Sequence, residues 1–175
     1  MGPEEYADKL EAEKARSTVQ LLFKAARLLN ERAIARVRSQ TKKPVRGAHT
    51  TLLPHVDLEG TRLTDLASRL GVTKQAAGQL VDELVEMGML ERVPDPADAR
   101  AKLVRFTKRG RAAILEGLAV LNEIANEVEK LVGRPKMHAL HEVLSAIVRD
   151  ADDRIQADAH EPLPAGKKAS KRRAR

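Results

Sequence analysis

Residues 61–110, TRLTDLASRLGVTKQAAGQLVDELVEMGMLERVPDPADARAKLVRFTKRG, decide how the chain is read. Leu66, Ala67 and Leu70 recur at helical spacing, with Thr64 as N-cap candidate and Asp65 favourable in a first turn. Gly71 follows, where a helix end takes left-handed backbone. Val72 is placed to plug the turn, and Thr73 is the next N-cap candidate. The second helix runs from Lys74 to about Met87, burying Ala77, Leu80, Val81 and Leu84, and Gly88 stops it. A hairpin follows, with strands Leu90 to Val93 and Lys102 to Phe106. Between them Pro94 to Arg100 is expected to form a stiff, charged, projecting tip. Helix, turn, helix and hairpin in that order make a helix-turn-helix with a wing.

Such an arrangement reads double-stranded DNA. The N-terminal half of the second helix is the part that enters a major groove. Lys74, Gln75, Ala76, Gly78 and Gln79 occupy it, with Thr73 at its cap. Gln reads adenine bidentately, Lys reaches guanine or phosphate, and Ala touches a thymine methyl. Gly78 costs the helix about 1 kcal/mol relative to Ala, and close approach to DNA is one reason to retain it. An arginine near the hairpin tip, Arg100, suits a narrow minor groove. Asp98 is expected to pair with Arg100 and aim it, while Arg62, Lys102 and Arg105 are candidates for phosphate contacts. An ordinary amphipathic helix and a solvated hairpin with a weak surface ion pair would produce much of the same pattern.

The run Asp98-Ala99-Arg100, then Val104, Phe106-Thr107 and Gly110, resembles the D-x-R…V-x-[LF]-T-x-x-G signature of MarR-type winged-helix transcriptional regulators. Leu66-Ala67, Leu70-Gly71-Val72-Thr73, Leu80-Val81, Leu84 and Gly88 fit the same family's pattern. By element order the resemblance spans roughly residues 17–155. The chain departs from it at Ala76 and Gln79, where the family usually carries a small hydroxyl and a basic residue. The resemblance implies a homodimeric repressor of a pseudo-palindromic operator, released by a small-molecule effector held between dimer helices and reader. It also implies a cytoplasmic setting.

The flanking segments read as long helices. Val19, Leu22, Ala26, Leu29, Ala33 and Val37 form one apolar stripe, widened by Leu21, Phe23, Leu28 and Ile34. Ile114, Leu118, Leu121, Ala125, Val128 and Val132 form a heptad-type seam, ended at Gly133-Arg134-Pro135. Met137, Leu140, Leu144, Ile147 and Ala151 repeat it. These faces exceed what a small winged-helix core covers, so pairing with a second copy is expected. The expected fold is mainly α with a small β-hairpin wing: a winged helix-turn-helix plus long dimerisation helices. Residues 1–47 are the N-terminal dimerisation helix and a loop from Arg38 onward, and residues 48–110 the DNA-binding region. Residues 111–157 are the C-terminal dimerisation helices, and residues 158–175 a disordered basic tail.

Composition narrows the classes. The net charge is +7, but six basic residues against one acid lie from Glu161 onward, so the preceding chain is nearly balanced. Aromatic residues make up 2%, too few for the stacking platforms of single-strand or RNA readers. Cysteine is absent, which removes disulfides, thiolate metal sites and thiol-based oxidant sensing. His49, His55 and Asp57 lack a regular ligand spacing, and His138 and His141, three apart on one helix, have no carboxylate in register, so no metal and no cofactor is expected. No membrane span or signal segment is recognised. Nor is there a phosphate-cradling glycine loop or a nucleophile in a recognisable setting, so an enzyme is not expected. The alternative reading is a low-specificity architectural DNA-binding protein.

Overall fold

The structure, a computed structural model, describes residues 1–160. The N-terminal segment is two helices: α1 (Pro3–Arg16) and α2 (Thr18–Thr41). Ser17 separates them in extended backbone (φ −82°, ψ 109°), and its hydroxyl accepts the Gln20 N–H at 3.3 Å as the N-cap of α2. The single long N-terminal helix expected from the stripe is therefore interrupted by a local cap. α2 also runs past the expected start of the loop at Arg38, ending where Lys42 turns left-handed at φ 59°.

α3 (Gly47–Leu52) continues into a 3₁₀ turn at Leu53–His55. The loop beyond it is tied down by Asp57. Its carboxylate accepts from the Thr61 hydroxyl (3.0 Å) and pairs with Arg69 (3.0 Å), whose guanidinium also donates to the His55 carbonyl (2.8 Å). That clamp delivers β1 (Thr61–Arg62) directly into α4 (Leu63–Leu70). The helix begins one residue before Thr64, with Arg62 at the N-cap position, so Thr64 is not its cap. Gly71 closes α4 at φ 64°, and α5 (Lys74–Glu86) follows. Val72, expected to plug the turn, is instead exposed.

β2 (Leu90–Asp95) and β3 (Asp98–Phe106) are antiparallel, and β1 joins the far side of β3, giving the order β1-β3-β2. Leu52, Leu66, Val81, Leu84, Leu90 and Val104 are almost wholly buried. Together with Val56, Met89 and Phe106 they form one core under α3, α4, α5 and the sheet.

α6 (Lys108–Val132) leaves the sheet at a tight junction. The Thr107 hydroxyl donates to the Gly88 carbonyl (2.7 Å) and accepts the Gly110 N–H (2.8 Å). A Cβ on Gly110 would lie 1.9 Å from the Met89 carbonyl oxygen. The T-x-x-G spacing is thus a cap followed by a backbone contact that admits only glycine. Further along, Val120 and Ile124 of α6 pack with Ala33 of α2, flanked by Leu29 and Val37. This stripe differs from the seam expected at Leu118 and Leu121, which are exposed.

The described residues divide into two compact units, residues 1–126 and residues 127 onward. In the second, α7 (Arg134–His160) has no buried residue among those described, and Leu140, Val143, Ile147 and Val148 are exposed along it. The helix includes residues 158–160, where the tail was expected to begin. The remainder of that expected tail, residues 161–175, lies outside the described residues.

Candidate nucleic-acid interface

α5 has two faces because apolar residues recur along one side only. Ala77, Val81 and Leu84 are buried, while Lys74, Gln75 and Gln79 are exposed and Ala76 and Gly78 half-buried. The Thr73 hydroxyl accepts the Ala76 N–H at 3.2 Å, so Thr73 serves as the N-cap. A Cβ on Gly78 would meet only a Leu63 methyl, at 3.7 Å, an ordinary contact. Packing therefore does not require glycine there.

The wing is longer and tighter than the sequence suggested. Asp95 is level with Asp98, so only Pro96 and Ala97 form the turn. Most of the expected loop, including Arg100, belongs to the strands. The register shifts between Pro94 and Asp95, and this irregularity turns the Asp95 side chain inward. Its Oδ1 accepts the Ala97 N–H at 2.9 Å. Its Oδ2 accepts from Arg62, 2.7 Å from Nε, and Nη2 of the same guanidinium is 2.6 Å away. The backbone N–H of Ala97 and then the Arg62 guanidinium hold this carboxyl below the ordinary aspartate range.

Two sequence expectations are corrected here. Asp98 does not pair with the Arg100 guanidinium; its Oδ1 accepts the Arg100 backbone N–H at 3.1 Å, fixing the strand rather than the side chain. Arg62 is not an open phosphate contact but the partner of Asp95. Arg105 is also engaged, donating to Glu91 across the hairpin at 2.9 Å. Arg92 of β2 pairs with Asp82 of α5. Among the described residues Lys74, Arg100 and Lys102 have no ion-pair partner, and all three are exposed.

Behind α5 lies a buried polar group. His49 of α3 is 1% exposed. Its Nδ1 accepts the Arg46 backbone N–H at 3.2 Å, which leaves Nε2 to donate to Glu83 at 2.7 Å. Arg46 pairs with the same carboxylate, so it too is occupied rather than open to phosphate. His49 first and Arg46 second keep the Glu83 carboxyl below the ordinary glutamate range. His49 is thus a core histidine that locks α3 to α5, and Asp57 is committed to Thr61 and Arg69.

Sequence reasoning missed Asp95, Asp82, Glu83 and His49 as structural partners of this surface. Their side-chain pairings across elements span 10 to 37 residues and follow no period. The one signal was chemical: an acid set among exposed bases is accounted for when it neutralises a particular one of them.

Two short helices joined at Gly71, the second with an exposed polar face, and a three-stranded wing define a winged helix-turn-helix protein. A sequence model described as "MarR family" matches residues 45–101. The LexA repressor of Deinococcus radiodurans is 36% identical over 72 residues, 41% of this chain and 32% of that protein. The chain spans about a third of the length of this curated relative. Solved structures align more fully. RV1404 of Mycobacterium tuberculosis matches at TM-score 0.63 and 23% identity, covering 86% of this chain and 99% of that one. The transcriptional repressor CouR bound to a 23-mer DNA duplex matches at TM-score 0.57 and 22% identity, covering 77% and 94%. CouR of Rhodococcus jostii RHA1 bound to p-coumaroyl-CoA matches at TM-score 0.57 and 21% identity, covering 87% and 98%. The sequence match to the MarR family is confined to residues 45–101, and the likeness to the solved winged-helix structures extends the shared fold over the flanking helices. Among the described residues no helix is long and apolar enough to cross a membrane.

Proposed function

We infer that the protein is a homodimeric, sequence-specific DNA-binding transcriptional regulator that acts as a repressor released by a small ligand. One observation carries the DNA reading. Lys74, Gln75 and Gln79 on α5, with Arg100 and Lys102 on the wing, are exposed, whereas Arg46, Arg62, Arg92 and Arg105 nearby are paired with carboxylates. The free donors are those a recognition helix and a wing would need for bases, minor groove and phosphate. Ala76 and Gly78 leave the helix surface bare, and Thr73 caps the end that enters the groove.

The dimer reading rests on surface left without a partner. Phe23 and Leu28 of α2, Leu115 and Leu118 of α6, and Ile147 of α7 are large, apolar and exposed. Exposed apolar surface on this scale favours burial against another copy. The effector reading leans on a recess of about 420 Å³ bordered by Arg27, Asn30, Ile34 and Arg38 of α2 and by Gly47. CouR carries a small ligand on the same fold.

The test is a binding-site selection from random duplex DNA with purified protein. An enriched pseudo-palindrome with half-sites about 10 bp apart is expected. Arg100→Ala should then weaken binding to the selected duplex by roughly 1–3 kcal/mol. A pool that stays unenriched at moderate ionic strength would overturn sequence-specific reading and favour the low-specificity architectural alternative.

A further inference from the structure

Arg62 and Asp95 stand on the two outer strands of the sheet, with β3 between them. Their ion pair is a strap across the central strand. Arg62 is also the residue from which α4 starts, so the strap joins the helix-turn-helix to the far end of the wing. On the wing side the anchor is unusually well made. The Asp95 side chain is only 6% exposed, accepts the Ala97 N–H within the turn, and meets two nitrogens of one guanidinium.

A two-strand projection with a two-residue turn is marginal when it stands alone. Here its outer end is not free. The strap leaves Arg62 no direct part in phosphate binding, although Arg62 lies in the reader, where an open cation would be useful. Arg100, two residues beyond Asp98, is the exposed donor whose position that anchor governs, since Asp98 in turn fixes the Arg100 backbone N–H at 3.1 Å.

We propose that Asp95 and Arg62 are positioning residues that hold the wing at a fixed angle to α5, so that wing and recognition helix contact one duplex in a defined register. The pair acts through Arg100 and touches no base itself. This rests on the DNA-reading function above. It goes beyond that function by assigning specificity at the flanks of the site to two residues that do not meet DNA.

The experiment uses the full chain and the duplex enriched by the unsubstituted protein. If no duplex is enriched, the DNA reading itself has failed and the strap is overturned with it. With such a duplex available, Asp95→Asn keeps an oxygen for the Ala97 N–H but removes the charge pair. It should raise Kd about ten-fold, the scale of one good groove contact. A second round of selection should lose base preference at the flanking positions and keep it at the central major-groove positions. In an Arg100→Ala background Asp95→Asn should add less than about two-fold, because the two act as one unit.

Multiplying effects in the double variant would overturn the proposal, as would an unchanged flank preference or an equal loss at all positions. Should Asp95→Asn fail to fold, Arg62→Lys and Arg62→Gln answer the same question. The first should retain most flank preference and the second should lose it. Equal behaviour of those two would equally defeat the idea.

Discussion

The reader and the helices around it are built on opposite terms. In residues 47–110 the apolar residues of α3, α4, α5 and the sheet converge on one core, and Arg62, Arg69, Arg92 and Arg105 find carboxylates within the same region. Along α6 and α7 the periodicity is at least as regular, yet Leu115 is 68% exposed and Leu131 84%. A reader that satisfies itself is fit to be carried as a rigid tool. Helices that bury little need something else to cover them, and the dimer proposal supplies a second copy of the same faces.

The largest effect should come from breaking the reader at its junction with α6. Gly110→Ala places a methyl group inside the Met89 carbonyl contact, and a backbone shift is unavoidable. The expected loss is about 3 kcal/mol or more, read from thermal or denaturant unfolding. An unaltered transition would show that α6 does not meet the Met89 carbonyl as described.

Next comes a matched pair of truncations. Leu84→Ala, at a fully buried site, should cost about 2–5 kcal/mol of stability. Ile147→Asp on exposed α7 should leave the reader's core intact while shifting sedimentation toward monomer at micromolar concentration. If the Ile147 variant sediments like the parent protein, that face is not part of the pairing surface.

Acid should then separate the regions more gently. Asp57, Glu83 and Asp95 have carboxyls held below their ordinary values: Asp57 chiefly by Arg69, Glu83 chiefly by His49, and Asp95 first by the Ala97 N–H of its own turn and then by Arg62. A depressed folded-state pKa contributes stability that is fully present above the unfolded value, near pH 4, and lost as pH falls through the folded one. Unfolding temperature should therefore be insensitive to these groups from about pH 5 to 8 and fall steeply below about pH 4. In Asp95→Asn the acid slope should be shallower, and an identical slope would remove Asp95 from the account.

The smallest expected change is a gain. Gly78→Ala meets only ordinary contact with Leu63, so helix propensity should raise stability by up to about 1 kcal/mol. If close approach to DNA is why glycine stands there, the same variant should bind the selected duplex less well. A variant that is both more stable and an equally good binder would leave Gly78 without a functional reason.

What the sequence disclosed follows the same division. Gly71 and Thr73 were legible because caps and left-handed turns obey local rules, whereas the Thr107-to-Gly110 spacing entered only through the resemblance to a family signature. The wing's existence was legible from alternation, but not its length, since Pro94 and Asp95 look like loop until pairing with β3 is known. The split at Ser17 was hidden because the charged, weakly apolar α1 merges by composition into α2. In α6 periodicity identified a helix but not which stripe meets α2: Val120 and Ile124 are inside, Leu118 and Leu121 outside. Both stripes recur at three- or four-residue helical steps, and only three-dimensional contact tells them apart. The straps from Arg62 to Asp95 and from His49 to Glu83 were illegible for a plainer reason, as attraction between distant charges leaves no rhythm in a chain.

The meeting of Gly110 with the Met89 carbonyl has one more consequence. The first turn of a 25-residue helix rests there on the backbone of the residue just before β2, with no side chain of its own in between. Such a joint resists sliding far more than it resists rocking. Any side chain at position 110 would force the start of α6 away from the Met89 carbonyl, so the spacing between helix and hairpin base is set by bare backbone.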